Sequence, residues 1–135
     1  MINPEVIVQL MDIEKQLWAN NPEFYQQALR EDAMLVFGET GIISRKFAVD
    51  AIKEEASTGK VWEEVALDDL QHRWITEDVV VISYKSSSRW KNTTEMIYAL
   101  CSSLYNYTEG AWKLVFHQQT PIDQNFIALE KSELT

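Results

Sequence analysis

Glycine is scarce in this chain, and several other residue types are scarcer. Four glycines occur in 135 residues, at positions 38, 41, 59 and 110, so there is no Gly-rich loop to cradle a phosphate. A single cysteine, Cys101, cannot close an internal disulfide, which points to a reducing, cytoplasmic compartment. Two histidines and one cysteine are too few for a structural zinc centre, and no metal site is expected. Neither G-x-S-x-G, nor C-x-x-C, nor H-E-x-x-H is present. No apolar run approaches the ~18 residues of a membrane span. The opening residues, MINPEVIVQL, lack the basic segment of a secretory signal. Positive charge is also short: 12 Lys and Arg stand against 21 Asp and Glu, a net charge of −9. Such a surface repels phosphate backbones and anionic bilayers, so no nucleic acid, membrane or nucleotide cofactor is expected as a partner.

What is present is globular. Hydrophobic residues make up 46% of the chain and charged residues 24%, enough to bury a core in one domain of ordinary size. Residues 1–122 carry the pattern of that domain, and 123–135 form a tail of weak periodicity.

Helical spacing comes first along the chain. Asn3 and Pro4 open a helix whose stripe is Val6, Ile7, Leu10, Met11, Ile13, Leu17 and Trp18. Asn21 and Pro22 open a second helix, with Phe24, Tyr25, Ala28 and Leu29 on one face, ending near Glu31–Asp32. Ala33–Phe37 reads as a short strand that returns through Ile42–Ile43. Ser44 caps a third helix with Phe47, Ala48, Ala51 and Ile52 turned inward, and Gly59 closes it. Period-two patterning follows: a strand over Val61–Ile75, another over Val79–Ser88, and a Ser-rich, basic link over Ser86–Asn92.

The stretch Thr93–Ile122 reads as a long β-hairpin turning at Glu109–Gly110. Centring the turn there pairs Thr108 with Ala111, Tyr107 with Trp112, Tyr105 with Leu114, Ser103 with Phe116 and Ser102 with His117. One stripe then carries Cys101, Ser103, Tyr105, Leu114 and Phe116, and the other Leu100, Ser102, Leu104, Val115, His117 and Gln119. Both stripes are largely apolar, which predicts two covered faces: one against the helices and one against something else, since so large an outer patch left bare would not suit a soluble monomer.

The closing string GAWKLVFHQQTP, with Gly110, Trp112, Lys113, His117, Gln118, Thr120 and Pro121, resembles the end of the last strand in the nuclear transport factor 2-like superfamily. The nearest likeness is to its SnoaL-like branch and to bacterial domains of unknown function grouped with it. Asp32 followed by Met34–Phe37 and Gly41 is similar to that superfamily's step from second helix to first strand. The resemblance covers roughly residues 4–122. It implies an α+β fold in which a curved antiparallel sheet wraps three N-terminal helices as a cone, with a pocket at the wide end. It also implies a homodimer through the outer face of the sheet. The superfamily includes isomerases, dehydratases, association domains and non-catalytic carriers, so the fold does not name a reaction.

Aromatic side chains are the most informative chemical feature. Trp18, Tyr25, Phe37, Trp62, Tyr84 and Tyr98, together with Ser102 and Gln119, are candidates for the wall of an apolar pocket that takes a small hydrophobic molecule. His117 is either an acid/base or polar contact in that pocket, or a histidine bonded within the sheet or dimer seam. Asp32 is either a pocket carboxylate or a polar residue fixing a helix end. Cys101 reads as a small buried hydrophobe. Asp68 and His72, two polar residues that could share a strand face, are a weak ligand pair or solvated surface. Lys85, Arg89, Trp90 and Lys91 read as a solvated basic cluster. Two functions stay open: a binding module for a small molecule, or a cofactor-independent acid/base enzyme of isomerase, dehydratase or hydrolase type using His117 or Asp32.

Overall fold

The computed structural model describes residues 3–123; the expected tail lies outside the described residues apart from Asp123. Helix α1 (Glu5–Trp18) begins where Asn3 Oδ1 accepts from Glu5 N at 2.9 Å, satisfying a donor the first turn leaves open. Helix α2 (Pro22–Ala28) is capped by Asn21, whose Oδ1 accepts from Glu23 N and Phe24 N at 2.9 and 3.1 Å. It stops short of Glu31–Asp32. Leu29 turns extended and pairs with Leu114, so strand β1 (Leu29–Phe37) starts four residues before the predicted Ala33. Strand β2 (Gly41–Ser44) and helix α3 (Arg45–Ser57) follow, with Ser44 Oγ accepting from Phe47 N at 3.2 Å.

The remaining strands are β3 (Trp62–Thr76), β4 (Val79–Trp90), β5 (Ile97–Thr108) and β6 (Ala111–Ile122). They form one curved, unclosed sheet with β1 and β2, in the order β2-β1-β6-β5-β4-β3. Neighbours are antiparallel except β1 and β6, which run parallel. The helices cover the concave face, so the fold is the expected α+β cone. None of the described helices is long and apolar enough to cross a membrane.

The β5–β6 hairpin turns where predicted, with Glu109 and Gly110 at φ 52° and 82°, the pair of positive angles that a tight two-residue hairpin loop requires. Its register matches expectation only as far as Tyr105↔Leu114. Beyond that point Leu104 pairs with Phe116, Ser103 with His117 and Cys101 with Gln119. Val115 is an extra residue, a β-bulge, and it overturns the expected pairs Ser103–Phe116 and Ser102–His117. Because side chains alternate, one inserted residue exchanges the two faces of everything after it. His117 and Gln119 therefore join Ser103 and Tyr105 under the helices, and Phe116 and Gln118 turn outward.

The core is built between that concave face and the helices. Leu10, Leu29, Leu35, Ile82, Leu114 and Tyr105 are each at most 1% exposed, and each aliphatic member contributes roughly 1.5–3 kcal/mol by leaving water. The outer face is less covered. Leu100 and Met34 are each 44% exposed, and Val81, Leu104 and Phe116 are half-buried.

Candidate functional site

On α1 the buried positions are Ile7, Leu10, Glu14, Leu17 and Trp18. One member of that apolar stripe is a carboxylate. Glu14 is 1% exposed, and a charge so placed must be met by donors or a counter-charge. The sheet supplies the donors. Tyr84 Oη, on β4, donates to Glu14 Oε1 at 2.5 Å. Tyr105 Oη, on β5, donates to Oε2 at 2.5 Å, and Ser103 Oγ donates to Oε1 at 3.0 Å. Trp18 Nε1 in turn donates to Tyr84 Oη at 3.0 Å, so the tyrosine is both donor and acceptor. Burial, then the Glu14 charge, pushes the Tyr84 and Tyr105 phenols far above their ordinary range, which keeps both as hydroxyl donors.

The bulge at Val115 brings His117 into the same network. Ser103 Oγ lies 2.6 Å from His117 Nδ1. Its single proton is given to Glu14, so the oxygen accepts and Nδ1 carries a hydrogen. That leaves Nε2 as the acceptor, and Gln119 Nε2 donates to it at 3.0 Å. The imidazole is thus neutral, in one tautomer, with both nitrogens engaged. Burial depresses its pKa, and the Glu14 carboxylate, 3.8 Å from Nδ1, offsets this in part.

Above this network the cone opens into a cavity of about 370 Å³. Its walls are contributed by all three helices, the β1–β2 turn and the concave face. Trp18, Tyr25, Phe37, Trp62, His117 and Gln119 all line it. Tyr98 also borders it, but strand alternation carries its ring to the outer face, where Lys85 Nζ lies 5.8 Å from the ring centre. Tyr84 stands behind the wall, holding Glu14 and Trp18.

Ser102 and Asp32 do not reach the cavity. Ser102, which alternates with the inward Cys101 and Ser103 on β5, faces outward and shares a hydrogen bond of 2.9 Å with Ser83. Asp32 lies on an exposed stretch of β1, forked by Arg30 at 2.5 Å from Nε and 3.1 Å from Nη2. That bond to Arg30 holds its carboxyl below the usual carboxylate range. Asp68 and His72 are separated by a second bulge and stand opposite Lys85 and Ile82, which belong to opposite faces. Cys101 is buried, and its thiol is pushed up to about 11 by that burial.

Sequence reasoning missed Glu14, Ser103, Trp90 and Lys60. Trp90 is the last residue of β4 and not part of a solvated link. Its ring stacks on Trp62 with centroids 3.4 Å apart and planes at 7°, and Lys60 Nζ sits 4.4 Å from its centre. The signal for Glu14 was available: it occupies an inward position of a stripe otherwise apolar.

No family model and no curated protein matches the chain. Solved structures do. A nuclear transport factor 2-like protein from Cytophaga hutchinsonii superposes with a TM-score of 0.73 at 20% identity, covering 90% of this chain and 100% of that one. This chain has the nuclear transport factor 2-like fold. A candidate calcium/calmodulin-dependent kinase II association domain from Exiguobacterium sibiricum gives 0.71 at 16% identity, over 91% and 97% of the two chains. A candidate ketosteroid isomerase from Parabacteroides distasonis gives 0.69 at 12%, over 86% and 87%. Identities this low carry the architecture and no activity.

Proposed function

We propose that this nuclear transport factor 2-like domain binds a small, largely apolar molecule in the cavity of its cone. The observation that carries the reading is the satisfied state of the cavity floor. Glu14 takes three hydroxyl donors and His117 has both nitrogens occupied. Polar groups tied to one another are rigid and shape a binding surface; a proton shuttle needs a group free to exchange with substrate. The volume, about 370 Å³, lies in the range of small-molecule sites, roughly 300–1,000 Å³. Titration with N-phenyl-1-naphthylamine, a neutral fluorescent probe, tests it. Saturable binding of one probe per chain is expected, and Ala51→Trp, which puts an indole into the cavity wall, should abolish it. Binding that is absent, or indifferent to that substitution, would remove the proposal.

A second reading, a cofactor-independent acid/base enzyme on a small hydrophobic substrate, is favoured by one observation. His117 lines the cavity as a neutral imidazole with Nε2 the accepting nitrogen. For it to act as a base, Gln119 must swing away. Turnover lost in His117→Gln with the fold retained would establish that reading over the first.

The same proposal places a second copy of the chain on the outer face of the sheet. Val81, Leu104, Phe116 and Leu100 form an apolar patch there, of a kind that association covers.

A further inference from the structure

The charge inside the cavity is unbalanced. Its lining includes three carboxylates, Glu14, Glu39 and Glu55, against one ammonium, Lys60. Glu14 is the deepest of them, and among the described residues the basic nitrogen within 4.0 Å of it is His117 Nδ1 at 3.8 Å. That imidazole is held neutral by its burial and bonding, so it supplies no counter-charge. An ionised carboxylate offers about four acceptor positions. Hydroxyls fill two on Oε1 and one on Oε2, leaving room on Oε2 for one further donor. Tyr25, on the same wall, has its phenol raised far above the ordinary range by burial and then by the charges of Glu14 and Glu55. Those charges make the interior potential negative.

The rest of the wall suits the same partner. Aromatic faces attract cations through their ring quadrupoles, and the chain already places one there, Lys60 over Trp90 at 4.4 Å. Trp18, Phe37, Phe47 and Trp62 add further aromatic surface around the same space. A buried carboxylate met by hydroxyls but by no counter-charge is still costly, and a ligand that brings the missing positive charge relieves that cost.

From this we infer that the occupant is an organic cation: a protonated amine on an aromatic or alkyl body. Its ammonium is directed to Glu14 and Tyr25, and its body lies against the tryptophans. The inference rests on the binding reading above and specifies its ligand class.

Calorimetric titration of the full chain at pH 7.5 and low salt with 2-phenylethylamine, 2-phenylethanol and phenylacetate tests it. The three share a ring and differ in carrying a positive, a neutral and a negative group. The amine should bind at least about tenfold tighter than the alcohol, and the carboxylate weakest. Glu55→Gln, at a part-exposed position of α3, should narrow the amine preference without disturbing the fold. Glu14→Gln, with folding checked by circular dichroism, should bring amine and alcohol to equal affinity. An alcohol or carboxylate that matches the amine overturns the inference and leaves the binding reading standing. An amine preference undiminished in a folded Glu14→Gln also overturns it. Absence of binding by all three, together with no binding of the neutral naphthylamine probe, removes both.

Discussion

Glu14 on the first helix and Tyr105 on the fifth strand meet through a hydrogen bond of 2.5 Å across the centre of the molecule. Ninety-one residues apart in sequence, they tie the helical layer to the sheet at the floor of the cavity. Both are buried, at 1% and 0% exposure. A hydrogen bond to a charged acceptor contributes about 1.5–3 kcal/mol. Tyr105→Phe is expected to lose about that much stability in urea denaturation. In a Glu14→Met background the same substitution should cost far less, because the phenol then has no carboxylate to meet. Equal costs in both backgrounds would mean that the pair is not coupled.

Acid should weaken the fold through His117. The folded imidazole titrates below its ordinary 6.5 because burial penalises its charge. Between that lowered value and 6.5 the unfolded chain binds a proton that the folded chain does not. Stability therefore rises with pH across this window. Its contribution is fully present above the unfolded value and is lost as pH falls through the folded one. Urea midpoints taken from pH 7.5 down to 5 should decline in the wild type, and more shallowly in His117→Gln. Parallel pH profiles would show that the histidine is not responsible.

The outer face of the sheet predicts its own test. Leu104, half-buried among Val81, Phe116 and the Ser83–Ser102 hydroxyl pair, is central to the patch. Light scattering of the wild type should give twice the chain mass of 15.7 kDa, and Leu104→Lys should halve it while leaving probe binding in the cavity intact. A wild-type mass that stays at one chain at all concentrations would rule out the homodimer.

The order of elements, the caps at Asn21 and Ser44 and the hairpin turn at Glu109–Gly110 were legible because each depends on residues near one another in sequence. The site was legible only in part. Aromatic residues such as Trp18, Phe37 and Trp62 announce a wall, since their size and their polar tips limit where they fit. The position of His117 was not readable, because it depends on the bulge at Val115. No glycine or polar residue marks that insertion, and alternation read straight through it assigns the wrong face. Asp32, open to a pocket or a helix-end reading, lies within β1 because the strand begins earlier than its apolar run, and alternation with the inward Ala33 leaves it outside with Arg30. Glu14 is a lone charge at an inward position of the first helix, the local conflict that marks a site.

The tautomer of His117 offers the sharpest check on this network. Ser103 has one hydroxyl proton and two neighbours, Glu14 Oε1 at 3.0 Å and His117 Nδ1 at 2.6 Å. A carboxylate can only accept, so the proton goes to Glu14 and Nδ1 must be the protonated nitrogen. Long-range ¹H–¹⁵N spectra at pH 7.5 should show His117 as the Nδ1–H form, with Nε2 in the range of an accepting nitrogen. Ser103→Ala removes the acceptor from Nδ1 and should shift the ring toward the Nε2–H form, with Gln119 turning its carbonyl to receive it. Were the wild type found as Nε2–H, Ser103 would be donating to the imidazole, and Glu14 would hold two hydroxyls in place of three.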